Sequence, residues 1–284
     1  MRHNRFGLIG HPIAHSLSPA LFKAGYEGRY PYDLIEGEDF ELSYRRFIEE
    51  DYAGINVTAP FKELAFAKAD ILSPECEAVG ATNLLVKTPD GIKAYNSDYL
   101  GVRMWLSDVA EGLKRTPPTP SSWAPPPAAR GIARFSSPQL YPTAVKTLIV
   151  GLGGAGKAAA AAAESLGMEV IRMNRTVKDE KTRTLSDFRE CFREADIVIY
   201  NIPASIPGLS GLTDEDFGAG KPKYILEANY KNPSFDKGFI RKMKKANPLA
   251  EYTSGKTWLL YQALTGYELF TGEKPDLKKM TDVL

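Results

Sequence analysis

Cysteine is nearly absent: Cys76 and Cys191 stand alone among 284 residues, with no metal-type spacing. That excludes a disulfide scaffold and points to a reducing, cytoplasmic setting. Only three histidines occur, His11 and His15 crowded together, so no metal centre is expected. An excess of one charge is missing too, because 36 Lys and Arg face 35 Asp and Glu for a net charge of +1. Such a field calls for neither nucleic acid nor an anionic membrane surface. No apolar run approaches the roughly 20 residues that cross a bilayer. The opening MRHNRFGLIGHP lacks the apolar core and cleavage site of a signal peptide. What remains is an ordinary soluble composition, 43% apolar and 25% charged, at a length comfortable for two domains. The expected partner is a small molecule, and composition leaves a homodimer open.

Strand-like and helix-like segments alternate from the start. RFGLIG, YDLIEG and YAGINVT read as strands. Between them lie a helix opening at Ser18-Pro19, with the serine as N-cap, and the helix FELSYRRFIEE. FKELAFAKADIL reads as one further helix, and ATNLLVK with IKAYNSD as an antiparallel hairpin around Pro89-Asp90-Gly91. This order predicts an α/β domain with a mixed sheet. Residues 115–143, rich in proline, serine and alanine, read as an exposed insertion. From Val145 the alternation restarts with near-continuous apolar strands, VKTLIV, ADIVIYNIP and KYILEANY, which suit a parallel sheet covered on both faces. The amphipathic helix TWLLYQALTGYELFTG closes the chain.

GLGGAG at 151–156 is a weak signal alone, but a strand precedes it, an alanine-rich helix follows, and a second strand ends near Asn174. That context predicts a dinucleotide site over Gly151, Gly153, Gly154, Ala155 and Gly156. Gly151 permits the tight turn, Gly153 the approach of a pyrophosphate, and Gly156 close packing of helix on strand. NAD sites usually place Asp or Glu at the end of the second strand. MNRTVKDEK instead places Asn174, Arg175, Thr176 and Lys178 there, and the planar fork of Arg175 suits a 2′-phosphate. NADP is therefore expected rather than NAD, with Asp179 and Glu180 lying slightly beyond.

Four polar stretches fall where strands end: HPIAHSLSP, NVTAPFK, GATNLL and YNSDYLG. They gather hydroxyls, carboxamides, one amine and one carboxylate, a set suited to a small polyhydroxylated ligand. Each has a plainer reading. Lys62 alone is a solvated lysine, Ser18 a helix cap, and Asn96 or Asp98 turn residues. Taken together, G-x-P-I-x-H-S-x-S-P from Gly10, N-V-T-x-P-F-K from Asn56, G-A-x-N from Gly80 and N-x-D-x-x-G from Asn96 resemble the shikimate dehydrogenases. The glycine turn, NRT at 174–176 and QA at 262–263 extend the resemblance over nearly the whole chain.

The resemblance implies two domains. Residues 1–101 and 255–284 would bind substrate, the C-terminal helix returning to that domain, and residues 102–254 would form a Rossmann-type NADP domain. It implies reversible, NADPH-dependent reduction of 3-dehydroshikimate to shikimate on the route to chorismate and aromatic amino acids. Lys62 and Asp98 match the catalytic pair, and Ser16 and Ser18 the pair that binds the substrate carboxylate. Thr58, Asn83 and Gln262 match contacts to the ring and its hydroxyls, Tyr230 a tyrosine near the carboxylate, and Gly255 a glycine on the cofactor side. Hydride delivery to a ketone carbon builds negative charge on its oxygen, which a nearby ammonium stabilises and protonates. The chain departs from the family pattern at Glu227–Tyr230 (EANY), at 201–208 (NIPASIPG) and at Trp258. The alternatives are an NAD-dependent quinate/shikimate dehydrogenase and a catalytically silent ligand-binding member.

Overall fold

The computed structural model describes residues 4–114, 145–177 and 179–284. The proline-rich stretch 115–143 and the cofactor candidate Lys178 lie outside the described residues. Two compact units result, Met1–Gly101 with Leu259–Leu284, and Val102–Trp258. Among the described residues no helix is long and apolar enough to cross a membrane.

The first unit runs β1 (Arg5–Gly10), α1 (Ser18–Tyr26), β2 (Tyr32–Glu36), α2 (Phe40–Glu49), β3 (Tyr52–Val57), α3 (Lys62–Ala67), β4 (Ile71–Leu72), α4 (Pro74–Val79), β5 (Leu84–Thr88) and β6 (Gly91–Tyr95). Its sheet has the order β2-β1-β3-β5-β6-β4. β1 is parallel to β2 and β3, while β5 is antiparallel to β3 and β6, the mixed sheet anticipated. Successive strand residues face opposite sides, so Phe6 enters one core with Phe22 and Tyr26, and Ile9 the other with Phe40 and Phe47. The helix expected over FKELAFAKADIL is shorter than its pattern. It stops at Ala67, because Asp70 grips Ile92 twice, backbone N–H to carbonyl at 2.9 Å and carboxylate to N–H at 2.7 Å. Ile71 and Leu72 thereby join the sheet beside β6.

A helix not anticipated, α5 (Ser97–Lys114), leaves the first unit and enters the second. There follow β7 (Lys146–Val150), α6 (Gly154–Ser165), β8 (Glu169–Met173), β9 (Thr182–Arg183), α7 (Phe188–Glu194), β10 (Ile197–Tyr200), α8 (Pro207–Ser210), β11 (Lys223–Glu227), α9 (Lys237–Ala246) and β12 (Ala250–Ser254). α10 (Gly255–Thr271) then returns to the first unit, and α11 (Leu277–Thr281) ends the chain. The second sheet is parallel throughout, ordered β12-β11-β10-β7-β8-β9, the doubly wound arrangement of dinucleotide-binding folds. Ala158, Ala159, Ala160, Ala162 and Ala163 are all buried, and their small side chains let α6 lie close on the sheet. Leu148, Val198 and Ile225 pack the opposite side with Phe188, Phe192 and Phe217.

Lys223 is a buried cation in this second unit, 3% exposed. Its Nζ donates to the carbonyls of Phe192, at 2.7 Å, and of Ala195, satisfying the C-terminal end of α7. Desolvation pushes its pKa down from 10.5 to about 8. Between those values the unfolded chain holds a proton that the folded chain has released, so this group's contribution to stability rises with pH. Urea unfolding from pH 8 to 10 should show the parent gaining up to ~1.4 kcal/mol per pH unit relative to Lys223→Met. Parallel pH profiles for the two proteins would contradict the assignment.

Candidate active site

Strand register collects the polar stretches along one edge of the first sheet. Ile9 pairs with Val57, Asn56 with Leu84, and Leu84 with Tyr95. The segments after β1, β3 and β6 and the one before β5 therefore emerge on the same side. They carry Ser16 and Ser18, Thr58 and Lys62, Asn96 and Asp98, and Asn83 respectively.

Lys62 is the first residue of α3, and Asp98 the second of α5. Their side chains meet, Lys62 Nζ donating to Asp98 Oδ2 at 2.5 Å, with side-chain exposures of 23% and 11%. The amides of α5's first turn favour the carboxylate. Both helix starts are fastened to Ala81–Asn83. Thr82 N donates to the Lys62 carbonyl at 3.3 Å, and Asn96 Nδ2 to the Ala81 carbonyl at 2.8 Å. Asn96 Oδ1 accepts from Tyr99 N at 3.0 Å, so the turn role considered for Asn96 is in fact a helix cap. Asp98 lies in the helix beyond it, facing the lysine.

The other candidates on this edge are also held. Ser18 is the first helical residue, not the N-cap; the cap is Leu17 and makes no side-chain bond. The reason is Ser16, whose Oγ accepts from Ser18 N and donates to Ser18 Oγ, each at 3.2 Å, so the turn closes before the helix starts. Tyr267 donates its phenol to the Ser18 carbonyl at 3.0 Å, and Tyr32 donates to Asn56 Oδ1 at 2.8 Å. Desolvation raises the pKa of both phenols, which keeps them neutral donors. Thr58 packs against Gly10, where a Cβ would fall 2.3 Å from its methyl. Gln262, on α10, lies against Gly101; a Cβ there would sit 2.5 Å from the Gln262 nitrogen. Gly101 is one turn along α5 from Asp98, so this close crossing sets Gln262 near the pair. Tyr230 belongs to the second unit, in the turn after β11, where burial pushes its phenol pKa up.

In the second sheet, Val150, Met173, Tyr200, Glu227 and Ser254 are in register, so all five carboxyl ends form one edge. Gly151 adopts φ +88°, and a Cβ on Gly156 would fall 1.9 Å from the Gly151 carbonyl oxygen. Strand and helix can approach this closely only with glycine there. Around Gly153 a Cβ would meet nothing within 4 Å, and α6 begins at Gly154 and Ala155, leaving its first amides beside open space. Asn201 borders the turn, and its buried Oδ1 has no hydrogen-bond partner among the described residues. An open cradle beside a spare acceptor fits a dinucleotide. Asn174 donates through Nδ2 to the Thr176 carbonyl at 3.3 Å, while Arg175 and Thr176 are exposed. Asp179, the nearest described carboxylate after β8, is exposed, and its Oδ1 accepts from Lys181 N and Thr182 Oγ1 at 3.0 and 2.9 Å. Gly255 is packed on the chain after β11, a Cβ falling 2.1 Å from the Ala228 carbonyl oxygen.

Residues 8–85 match the family model described as the shikimate dehydrogenase substrate binding domain. Residues 133–226 match the model of the D-isomer specific 2-hydroxyacid dehydrogenase, NAD binding domain. The shikimate dehydrogenase (NADP(+)) of Helicobacter pylori is 29% identical across 100% of this chain and 98% of its own length. That of Thermus thermophilus is 32% identical across 61% of this chain and 56% of its own length. The crystal structure of shikimate 5-dehydrogenase from Thermus thermophilus in complex with NADP(H) and shikimate is 25% identical, with a TM-score of 0.70 covering 98% of this chain and 97% of that one. The chain is thus similar to shikimate dehydrogenases along nearly its whole length.

Two departures from the shikimate dehydrogenase pattern have structural roles here. Glu227 is fully buried, and its carboxylate accepts from Ser234 N at 2.5 Å, Phe235 N at 3.3 Å and Tyr252 OH at 2.9 Å, tying down the loop that carries Tyr230. Tyr200 donates to the Ala204 carbonyl at 2.7 Å, closing the 201–206 loop. Trp258 is buried within α10. Ser97 and Thr82 were not among the residues anticipated, although both are buried at the Lys62–Asp98 site. Gly156→Ala should lower unfolding free energy by about 2–4 kcal/mol, since backbone must move to admit the methyl. Denaturant titration measures this, and a change below about 0.5 kcal/mol would refute the close-approach reading.

Proposed function

We propose that this protein is an NADP-dependent shikimate dehydrogenase, reversibly reducing 3-dehydroshikimate to shikimate in the supply of chorismate and aromatic amino acids. Residues 1–101 and 255–284 serve as the substrate domain and 102–254 as the cofactor domain. The observation that carries this reading is the Lys62–Asp98 contact at 2.5 Å, on the sheet edge that also bears the paired serines. When bound, NADPH supplies the hydride. Lys62 holds the proton that the developing alkoxide takes, and its ammonium stabilises that charge. In the oxidation direction its neutral amine accepts the proton. Asp98 keeps the amine in place and orients a ring hydroxyl. Ser16 and Ser18 turn their hydroxyls to the substrate carboxylate; Thr58, Asn83 and Gln262 hold the ring. Tyr230 is retained as a substrate residue on the family resemblance alone.

The glycine turn and the first amides of α6 take the pyrophosphate. Asn174, Arg175 and Thr176 clasp the 2′-phosphate, with Lys178 assigned beside them and Gly255 kept on the cofactor side by resemblance. One observation favours NAD instead, the match of residues 133–226 to an NAD binding domain. Against it, β8 ends in Asn174 rather than an acid, and Asp179 is already engaged.

Turnover of shikimate and quinate with NADP and NAD is expected to be fastest for shikimate with NADP. Preference for quinate with NAD, or no turnover, would sink the proposal. Lys62→Ala should lower kcat by about 10²–10⁴-fold with little change in KM; a change confined to KM would remove its general-acid role. Arg175→Ala should raise KM for NADP and leave NAD use nearly untouched, and equal losses with both would refute the phosphate clasp.

A further inference from the structure

Ser97 is 2% exposed and stands between a proposed ring contact and a proposed catalytic carboxylate. Its backbone N–H donates to Asn83 Oδ1 at 2.7 Å, and its Oγ accepts from Asn83 Nδ2 at 3.0 Å. Both ends of one carboxamide are thus held by one residue. Turning the amide over would set Nδ2 against the Ser97 N–H, donor facing donor, so only one orientation is stable. In that orientation the oxygen is occupied by the N–H of Ser97, and the group left to offer is the second N–H of Nδ2. Ser97 also touches α10: a Cβ on Gly266 would lie 3.2 Å from both its Cβ and its Oγ. Glycine at 266 is what lets α10 approach the serine this closely.

We propose that Ser97 is a positioning residue which locks Asn83 as a hydrogen-bond donor, so that the site selects a ligand with an acceptor oxygen, hydroxyl or carbonyl, at that place. This rests on the reading of Asn83 as a substrate contact. Ser97 itself touches no reacting atom. The backbone half, which sets the orientation of the amide, survives any substitution, whereas the Oγ half, which steadies Nδ2 and so aims its second N–H, depends on a hydroxyl at position 97.

The test compares the parent with Ser97→Ala and Ser97→Thr in three measurements. Ser97→Ala should raise KM and the directly measured Kd for shikimate about tenfold, the worth of one well-placed hydrogen bond, with kcat within about threefold. Ser97→Thr keeps the hydroxyl, so it should restore both constants to within about threefold. The Asn83 side-chain amide, identified in NMR spectra by its loss in Asn83→Asp, should resist solvent exchange in the parent and Ser97→Thr and exchange rapidly in Ser97→Ala. Equal impairment of the two variants, or unchanged KM in Ser97→Ala, would overturn the positioning role. An Asn83 amide that exchanges rapidly in the parent would overturn the clamp. The amide signal needs no turnover, so it judges the clamp even if the parent fails to oxidise shikimate, which would refute the proposed function instead.

Discussion

Three residues of backbone, Ala81 to Asn83, hold the candidate site together. Their carbonyls and amides receive Lys62 through its own carbonyl, Asn96 through its side chain, and Val57 N at 2.8 Å and Asn56 Nδ2 at 3.3 Å on the Asn83 carbonyl. An exposed ion pair between flexible side chains contributes little, because ordering them offsets the attraction. Here both helix starts are pinned to a common strip before the side chains meet. The Lys62–Asp98 contact is consequently built in advance of any ligand, the condition under which electrostatic stabilisation of a developing charge is most effective.

Topology explains why the remaining candidates lie where they do. In a parallel sheet every strand delivers its carboxyl end to the same edge, so loops distant in sequence become neighbours. The first sheet achieves this although β5 runs the other way, because Asn83 precedes β5 while Lys62 follows β3. The second sheet does it strictly, and the turn between β7 and α6 sits where strand order reverses. Glycine at 156 and 101 marks the crossings at which backbone meets backbone, so both units fix their sites partly through atoms that are absent.

Strands with near-continuous apolar runs were legible in the sequence, as were the glycine turn, the mixed and parallel sheets, and the likeness to NADP-dependent shikimate dehydrogenases. These depend on local pattern or on motifs taken together. The end of α3 was not legible, since Asp70 stops it by reaching Ile92, a partner 22 residues away that periodicity does not register. α5 was hidden because Asn-Ser-Asp resembles a turn; Asn96 caps a helix there instead, and the acid in the following first turn was a usable signal. Ser18 looked like a cap until Ser16 was seen to close the turn before it. Ser97 and Thr82 escaped notice, and the structural role of Glu227 with them, for a common reason. Their work is hydrogen bonding across the fold, and single residues of those types carry no periodic signature.

Coupling between Lys62 and Asp98 is the central claim, and a double-mutant cycle on kcat for shikimate oxidation measures it directly. If the two act as one unit, Lys62→Ala, Asp98→Asn and the double variant should lose nearly the same activity. Losses that multiply in the double variant would show two independent residues and contradict the account.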